Sequence, residues 1–136
     1  MAEMELEGLA ASPELQQLSE SDLKRLNSDL AGIRSKKEGP QGYQYALIAN
    51  QSGMYKCHTC ESGFRFLNEG DVWKYGETTT KRYSGPQLAF KEAGLPLTEV
   101  PQFFGTRRQI KIAEKLKIYS HLARYKELPA GNRIRR

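Results

Sequence analysis

Apolar positions near the start of the chain recur at a helical period. Leu15, Leu18, Leu23, Leu26, Leu30 and Ile33 fall three to four residues apart, apart from one longer step, which is the stripe of an amphipathic helix. Ser12, Pro13 and Glu14 form a helix start: a capping hydroxyl, a proline at the first helical position and an acid in the first turn. Ser19 and Asp22 mark a point inside the stripe where a second helix can begin. Gly39 and Pro40 end the run. Residues 1–11 are expected to be poorly ordered. The stretch 1–42 reads as a helical N-terminal extension with no chemistry of its own.

From Tyr43 the period falls to two. Tyr43, Tyr45, Leu47 and Ala49 alternate with Gln44, Ala46, Ile48 and Asn50, which predicts a strand. A turn at 50–53 leads to a second strand over 54–57, Phe64–Leu67 is a third, and Val72–Tyr75 is a fourth ending at Gly76. One three- or four-stranded antiparallel sheet is expected over about 43–76. A short helix is expected to open at Thr78–Tyr83, another lies within 87–106, and Leu97–Phe104 is a candidate edge strand. Thr106 is a plausible N-cap for a long helix over 106–127, whose Ile112, Leu116, Tyr119 and Ala123 share one face and are expected to pack on the sheet. The fold class is therefore α+β, a small antiparallel sheet flanked by helices, with domains 1–42 (the extension) and 43–136.

Charge changes this picture more than composition does. The net charge is +5, but residues 1–42 carry eight acids against five bases, and 43–106 are balanced. Residues 107–136 hold ten bases and two acids, a local +8. Such a segment attracts polyanions, and phosphate contacts by Lys and Arg supply most nonspecific nucleic-acid affinity. A solvated basic tail or an acidic protein partner would carry the same charge. No apolar run approaches the roughly 18 residues needed to span a bilayer, and the acidic start has neither the basic flank nor the apolar middle of a Sec signal. No membrane partner is expected.

Cys57, His58, Thr59 and Cys60 supply half of a zinc site. With no second such pair, and with His58 adjacent to Cys57, structural zinc is not expected. Reduced, packed thiols are the default, and a Cys57–Cys60 disulfide is the alternative in an oxidising compartment.

Gly53-Met54-Tyr55 on one strand, Lys74-Tyr75-Gly76 at the end of another, Arg82 beyond it, Glu114 on the long helix, and Pro129 with Asn132 at the end form an ordered series. The series resembles the GIY-YIG endonuclease superfamily over about residues 53–132. Lys74 stands in place of that family's first Y-I-G tyrosine, residues 57–70 widen the spacing between the two motifs, and Glu114 lies further from Pro129 than is usual. The resemblance implies catalytic roles for Tyr55, Lys74, Tyr75, Arg82, Glu114 and Asn132, with Glu114 holding a single Mg²⁺ or Mn²⁺. It implies a nucleic-acid partner, DNA ahead of RNA. The segments Val72–Thr79, Arg82–Ser84, Phe104–Thr106, Ala113–Lys115 and Leu128–Arg133, with Tyr119, further resemble C-terminal toxin domains of bacterial Rhs-type polymorphic toxins. That likeness implies an effector delivered to the cytoplasm of a target cell, and a cognate immunity protein.

The chemistry is coherent without the family. Phosphodiester hydrolysis needs an activated water, a neutralised phosphate and a stabilised leaving oxygen. A phenol or amine with a lowered pKa handles the water proton, assigned to Tyr55 with Lys74 or Tyr75. Arg82 offers a phosphate fork. Gly76 and Thr78, with Arg107, Arg108, Lys111, Arg133 and Arg135 (and Arg136 beside them), are the expected nucleic-acid contacts. His121 is a weaker base candidate. Each residue also has a plain structural explanation: strand aromatics, solvated charges, or an exposed Glu114. If Glu114 is catalytic, its face must line a cleft and the helix must be covered on both sides. Two alternatives share the sequence features: a non-catalytic nucleic-acid-binding module, and an adaptor whose Leu15, Leu18, Leu26 and Leu30 dock a partner helix.

Overall fold

The structure, a computed structural model, describes residues 2–80 and 86–132. Its elements in order are α1 (Ala2–Ala10), a 3₁₀ turn (Pro13–Gln17), α2 (Glu20–Arg34), β1 (Gln41–Ala49), β2 (Gly53–Lys56), β3 (Phe64–Leu67), β4 (Val72–Thr78), α3 (Pro86–Ala93), β5 (Leu97–Thr106) and α4 (Arg107–Tyr125). The α+β class holds. None of these helices is long and apolar enough to cross a membrane.

Local chemistry explains the helix ends. Ser19 caps α2, its hydroxyl accepting from the Asp22 N–H at 3.1 Å. Thr106 and Gln109 form a reciprocal capping box on α4. Ser12 makes no such cap, and the proline behind it starts only a 3₁₀ turn. Residues 2–10, expected to be poorly ordered, form α1. A nine-residue helix is marginal alone. Here Leu6 is buried against α4, and Glu3 accepts a hydrogen bond from Gln109 at 2.9 Å.

The sheet differs from the expected one. The principal sheet is three-stranded, order β4-β1-β5, all antiparallel. β2 and β3 form a separate hairpin. β5 lies at an edge of this sheet, as expected, and pairs with β1 along its whole length. Thr78 ends β4 and does not open a helix, while 81–83 lie outside the described residues.

Side-chain alternation gives β1 two buried faces. Tyr45, Leu47 and Ala49 join Tyr55, Leu67, Trp73 and Leu97 in one core, beneath the hairpin. Gln44 and Ala46 lie on the other face, which α4 covers. The stripe Ile112, Leu116, Tyr119 and Ala123 does not pack on this sheet as expected. It packs with Leu6, Leu15, Leu18, Leu26 and Leu30 of the N-terminal segment. Residues 1–42 thus share a core with α4. Leu15, Leu18, Leu26 and Leu30 are buried inside the chain, which removes the surface that the adaptor reading requires. Sandwiched between the N-terminal helices and the sheet, α4 is covered on both sides.

Cys57 and Cys60 are joined as a disulfide, not reduced thiols as expected. The turn brings their Cα atoms to 5.4 Å, within the range a bridge requires. The Cys57 N–H donates to the Gly63 carbonyl, and the Gly63 N–H to the Cys60 carbonyl.

Candidate active site

β4 runs beside α4, and period two sends Tyr75 and Glu77 to the helix side of the sheet. Opposite them α4 places Lys111, Glu114 and His121 on one face, three and seven residues apart. Lys111 Nζ lies 3.4 Å from Glu77 Oε1. The Tyr75 and His121 rings meet edge-on at 6.4 Å between centroids.

Glu114 is not a solvated surface acid. Its pKa is pushed up to about 7, first by burial and then by the nearby Glu77 carboxylate. Lys115, Lys111 and Lys74 act in the opposite direction, Lys74 least. Lys74 sits across from Leu47, on the face turned away from α4. Lys115 also faces Asp29 of α2 at 3.9 Å.

Beneath this pair lies Gln44, directly across β1–β4 from Glu77. Gln44 is fully buried, and its Nε2 donates to Gln102 Oε1 and to the Tyr45 carbonyl, both at 2.9 Å. Its Oε1 has no hydrogen-bond partner among the described residues. An unpaired buried carbonyl is costly. Two carboxylates that repel each other and an unsatisfied amide oxygen on the same sheet face are hard oxygen donors, the kind a divalent cation such as Mg²⁺ or Mn²⁺ takes. Glu114, Glu77 and Gln44 supply donors of that chemical kind, while among the described residues no three His, Cys, Asp or Glu side chains group together. Neither Gln44 nor Glu77 was among the residues singled out from sequence, although the alternation Tyr75-Gly76-Glu77 places Glu77 beside Tyr75.

The buried acid has a consequence for stability. Its folded value of about 7 lies above the ordinary 4.5. Protonated Glu114 therefore contributes stability that is fully present below pH 4.5 and lost as pH rises through about 7. The loss is on the order of 2–3 kcal/mol. Glu114→Gln should match the wild type at pH 4. In metal-free buffer at pH 8.5 it should melt several degrees higher. Equal melting temperatures at pH 8.5 would show that Glu114 is solvated.

Tyr75 does not meet the requirement for a base. Burial raises its phenol pKa, Tyr125 and Glu14 raise it further, and Arg124 lowers it less. The phenol keeps its proton at neutral pH. His121 fits better. Burial is the largest influence on it and lowers its pKa, so the ring is neutral near pH 7. Its Nδ1 lies 3.0 Å from the Glu127 carbonyl, which can only accept. Nδ1 therefore carries the hydrogen and Nε2 the lone pair. Tyr75 and His121 form part of the lining of an open cleft of about 470 Å³ that extends to Arg65, Phe66, Lys117 and Arg124; Glu114 and Lys111, further along α4, and Glu77 of β4 are not part of that lining.

Asn132 is a positioning residue for Tyr75. Its Oδ1 accepts from the Tyr75 N–H and its Nδ2 donates to the Tyr75 carbonyl, both at 3.0 Å. The Asn132 N–H closes a turn onto the Pro129 carbonyl, which explains the Pro-x-x-Asn spacing. β4 is an edge strand, and this side chain bonds the backbone groups that the edge leaves open.

Besides Lys74, three expected site residues stand elsewhere. Tyr55 is fully buried in the hairpin core, its hydroxyl set between two carbonyl acceptors, Gln51 at 2.7 Å and Pro96 at 3.0 Å. Its proton-transfer role is withdrawn, because both core packing and backbone acceptors occupy it. Gly76 is buried under the Tyr45 ring, so a nucleic acid does not approach it. Thr78 is buried too, its hydroxyl donating to the Thr80 carbonyl. Arg82, Arg133 and Arg135 lie outside the described residues. Arg107, Arg108 and Lys111 come together at the start of α4. Comparison with protein-family models, with curated proteins and with solved structures finds no match to this chain.

Proposed function

We propose that the chain is a metal-dependent nuclease that hydrolyses phosphodiesters of DNA or RNA. The observation that carries this reading is the half-buried Glu114 set against Glu77, with Lys111 and Lys115 beside them. A carboxylate pair held this way requires a shared proton or a cation, and the lysines favour the negative charge of a phosphate. Glu114, Glu77 and Gln44 would hold Mg²⁺ or Mn²⁺, which when bound neutralises charge on the phosphate and the leaving oxygen. Lys111 lies next to Glu77 and can turn to a phosphate oxygen when the carboxylate is engaged. His121 Nε2, about 10 Å along α4 from Glu114, would accept a proton from the cleft side, with the Tyr75 phenol, held by Asn132 through its backbone, donating a hydrogen bond beside it. The resemblance to GIY-YIG endonucleases supports the same reaction class, with His121 taking the proton-handling role assigned from sequence to Tyr55. Its likeness to Rhs-type toxin domains supports an effector delivered to the cytoplasm of a target cell and neutralised by an immunity protein.

The experiment is incubation of the purified chain with plasmid DNA and total RNA, with Mg²⁺ or Mn²⁺ or with EDTA. Degradation in the metal-containing lanes alone is expected, and the gel identifies the substrate. Retarded but intact nucleic acid in every lane would establish the non-catalytic binding module in its place.

A further inference from the structure

Residues 36–40, between α2 and β1, are pinned onto the first turn of α4. The Arg107 N–H donates to the Pro40 carbonyl at 2.8 Å, and the Arg108 N–H to the Glu38 carbonyl at 2.9 Å. Arg108 Nη1 reaches the Lys36 carbonyl at 3.1 Å, and its Nη2 faces Glu38 at 3.4 Å. Gly39 takes a positive φ of 75°, and an added Cβ would stand 2.9 Å from that of Arg107. The result is a groove of about 300 Å³ lined by Lys36, Lys37, Arg107, Arg108 and Lys111, together with Ile33, Gly39 and Pro40. The linker carbonyls and Thr106 already engage the N–H groups of residues 107–109, so anion recognition here falls to side chains. Arg108 is paired with Glu38 and Lys111 with Glu77. Among the described residues no carboxylate lies within ion-pair range of Lys36, Lys37 or Arg107.

We infer that this groove seats the phosphodiester backbone of the nucleic acid, with Lys36 and Lys37 of the N-terminal segment and Arg107 of α4 as its phosphate contacts. The inference rests on the nuclease reading and extends it to a part of the chain that showed no chemistry in sequence. Like-charged side chains drawn into one groove repel one another, and a strand of phosphates relieves that repulsion with release of counterions. Lys111 joins the groove to Glu77 and Glu114. From Arg107 to Glu114 the helix rises roughly 10 Å, about three base steps of 3.4 Å each. A strand anchored in the groove therefore presents a linkage a few nucleotides along to the two carboxylates.

The test is binding of the full chain in EDTA to fluorescein-labelled duplex DNA, single-stranded DNA and RNA of one sequence, over a salt titration. Lys36→Gln/Lys37→Gln/Arg107→Gln is compared with Lys24→Gln/Lys91→Gln/Lys126→Gln, which removes the same charge elsewhere. The groove triple should weaken binding about 100-fold near 0.1 M salt and lower the slope of log K against log salt by two to three. The control triple should lower the slope by less than one. Lys36→Arg/Lys37→Arg/Arg107→Lys, which keeps the charge, should bind as the wild type does. The arm that loses most affinity names the polymer. Equal losses in the two Gln triples, no loss in the groove triple, or weak binding by the charge-keeping variant would overturn the inference. So would polyglutamate competing as well as nucleic acid, which would make the groove a seat for an acidic protein. Because no cleavage occurs in EDTA, a lost slope stands even if the wild type proves inactive with metal, and in that case only the nuclease reading fails.

Discussion

Glu114→Ala should lower the initial rate of Mg²⁺- or Mn²⁺-dependent cleavage by roughly 10³-fold, the scale of removing one principal charge-stabilising group. Binding in EDTA should be undiminished, because the variant removes an acid from beside the phosphate and leaves Lys111 and Arg107 in place. Glu77→Ala should cost less, about 10- to 100-fold, and should raise the metal concentration needed for half-maximal rate. It frees Lys111 and removes the repulsion on Glu114, so the Glu114 pKa should fall in this variant. The two substitutions act on one pair, and the double variant should be no slower than Glu114→Ala. Initial rates across a metal titration, read beside anisotropy in EDTA, separate these effects. A Glu114→Ala protein cutting at the wild-type rate would end the site assignment.

How much of this was legible in sequence depends on the range of the cause. Ser19 and Thr106 were readable as caps because a cap and its partner lie three residues apart. The five strands were readable from alternation, which is also local. Pairing was not. Nothing in 53–67 says that β2 and β3 leave the sheet to β5, since both arrangements bury the same alternating residues. The side of α4 that meets the sheet was misread for a related reason. Its apolar stripe was real, but two layers compete for it, and the N-terminal leucines took it. The polar face of α4 was left to the sheet, and that is why Glu114, an ordinary surface acid in sequence, is half-buried beside Glu77.

The candidate site shows the same division. Asn132 was identified through a motif resemblance, and its bonds to Tyr75 explain the spacing. Tyr55 fitted its motif equally well but lies in the hairpin core, because a tyrosine on a strand reads the same whichever sheet the strand joins. Gln44 was invisible, since an amide between Tyr43 and Tyr45 reads as the solvent-facing side of a strand until α4 is laid over it.

Gly76→Ala should unfold the protein more readily, by about 2–4 kcal/mol, without any direct effect on substrate contact. The glycine was first read as room for a nucleic acid. Instead its missing Cβ makes room for Tyr45, directly across the strand pair: an added methyl would lie 2.5 Å from both Cζ and the hydroxyl oxygen of that ring. The ring is fully buried, and close-packed interiors leave little room for a ring to retreat. Its tight seat also fixes β4 against β1, and so fixes Tyr75 and Glu77 on either side of residue 76. The clash predicts coupling. In a Tyr45→Leu background, itself destabilised by the lost ring, Gly76→Ala should cost under about 1 kcal/mol, because the shorter side chain leaves the methyl a place. Urea unfolding of the two single variants and the double variant measures that difference. If Gly76→Ala melts with the wild type but cleaves slowly, the glycine faces substrate after all. Equal costs in the two backgrounds would mean that the strain lies in the backbone of β4 and that Tyr45 is not its cause.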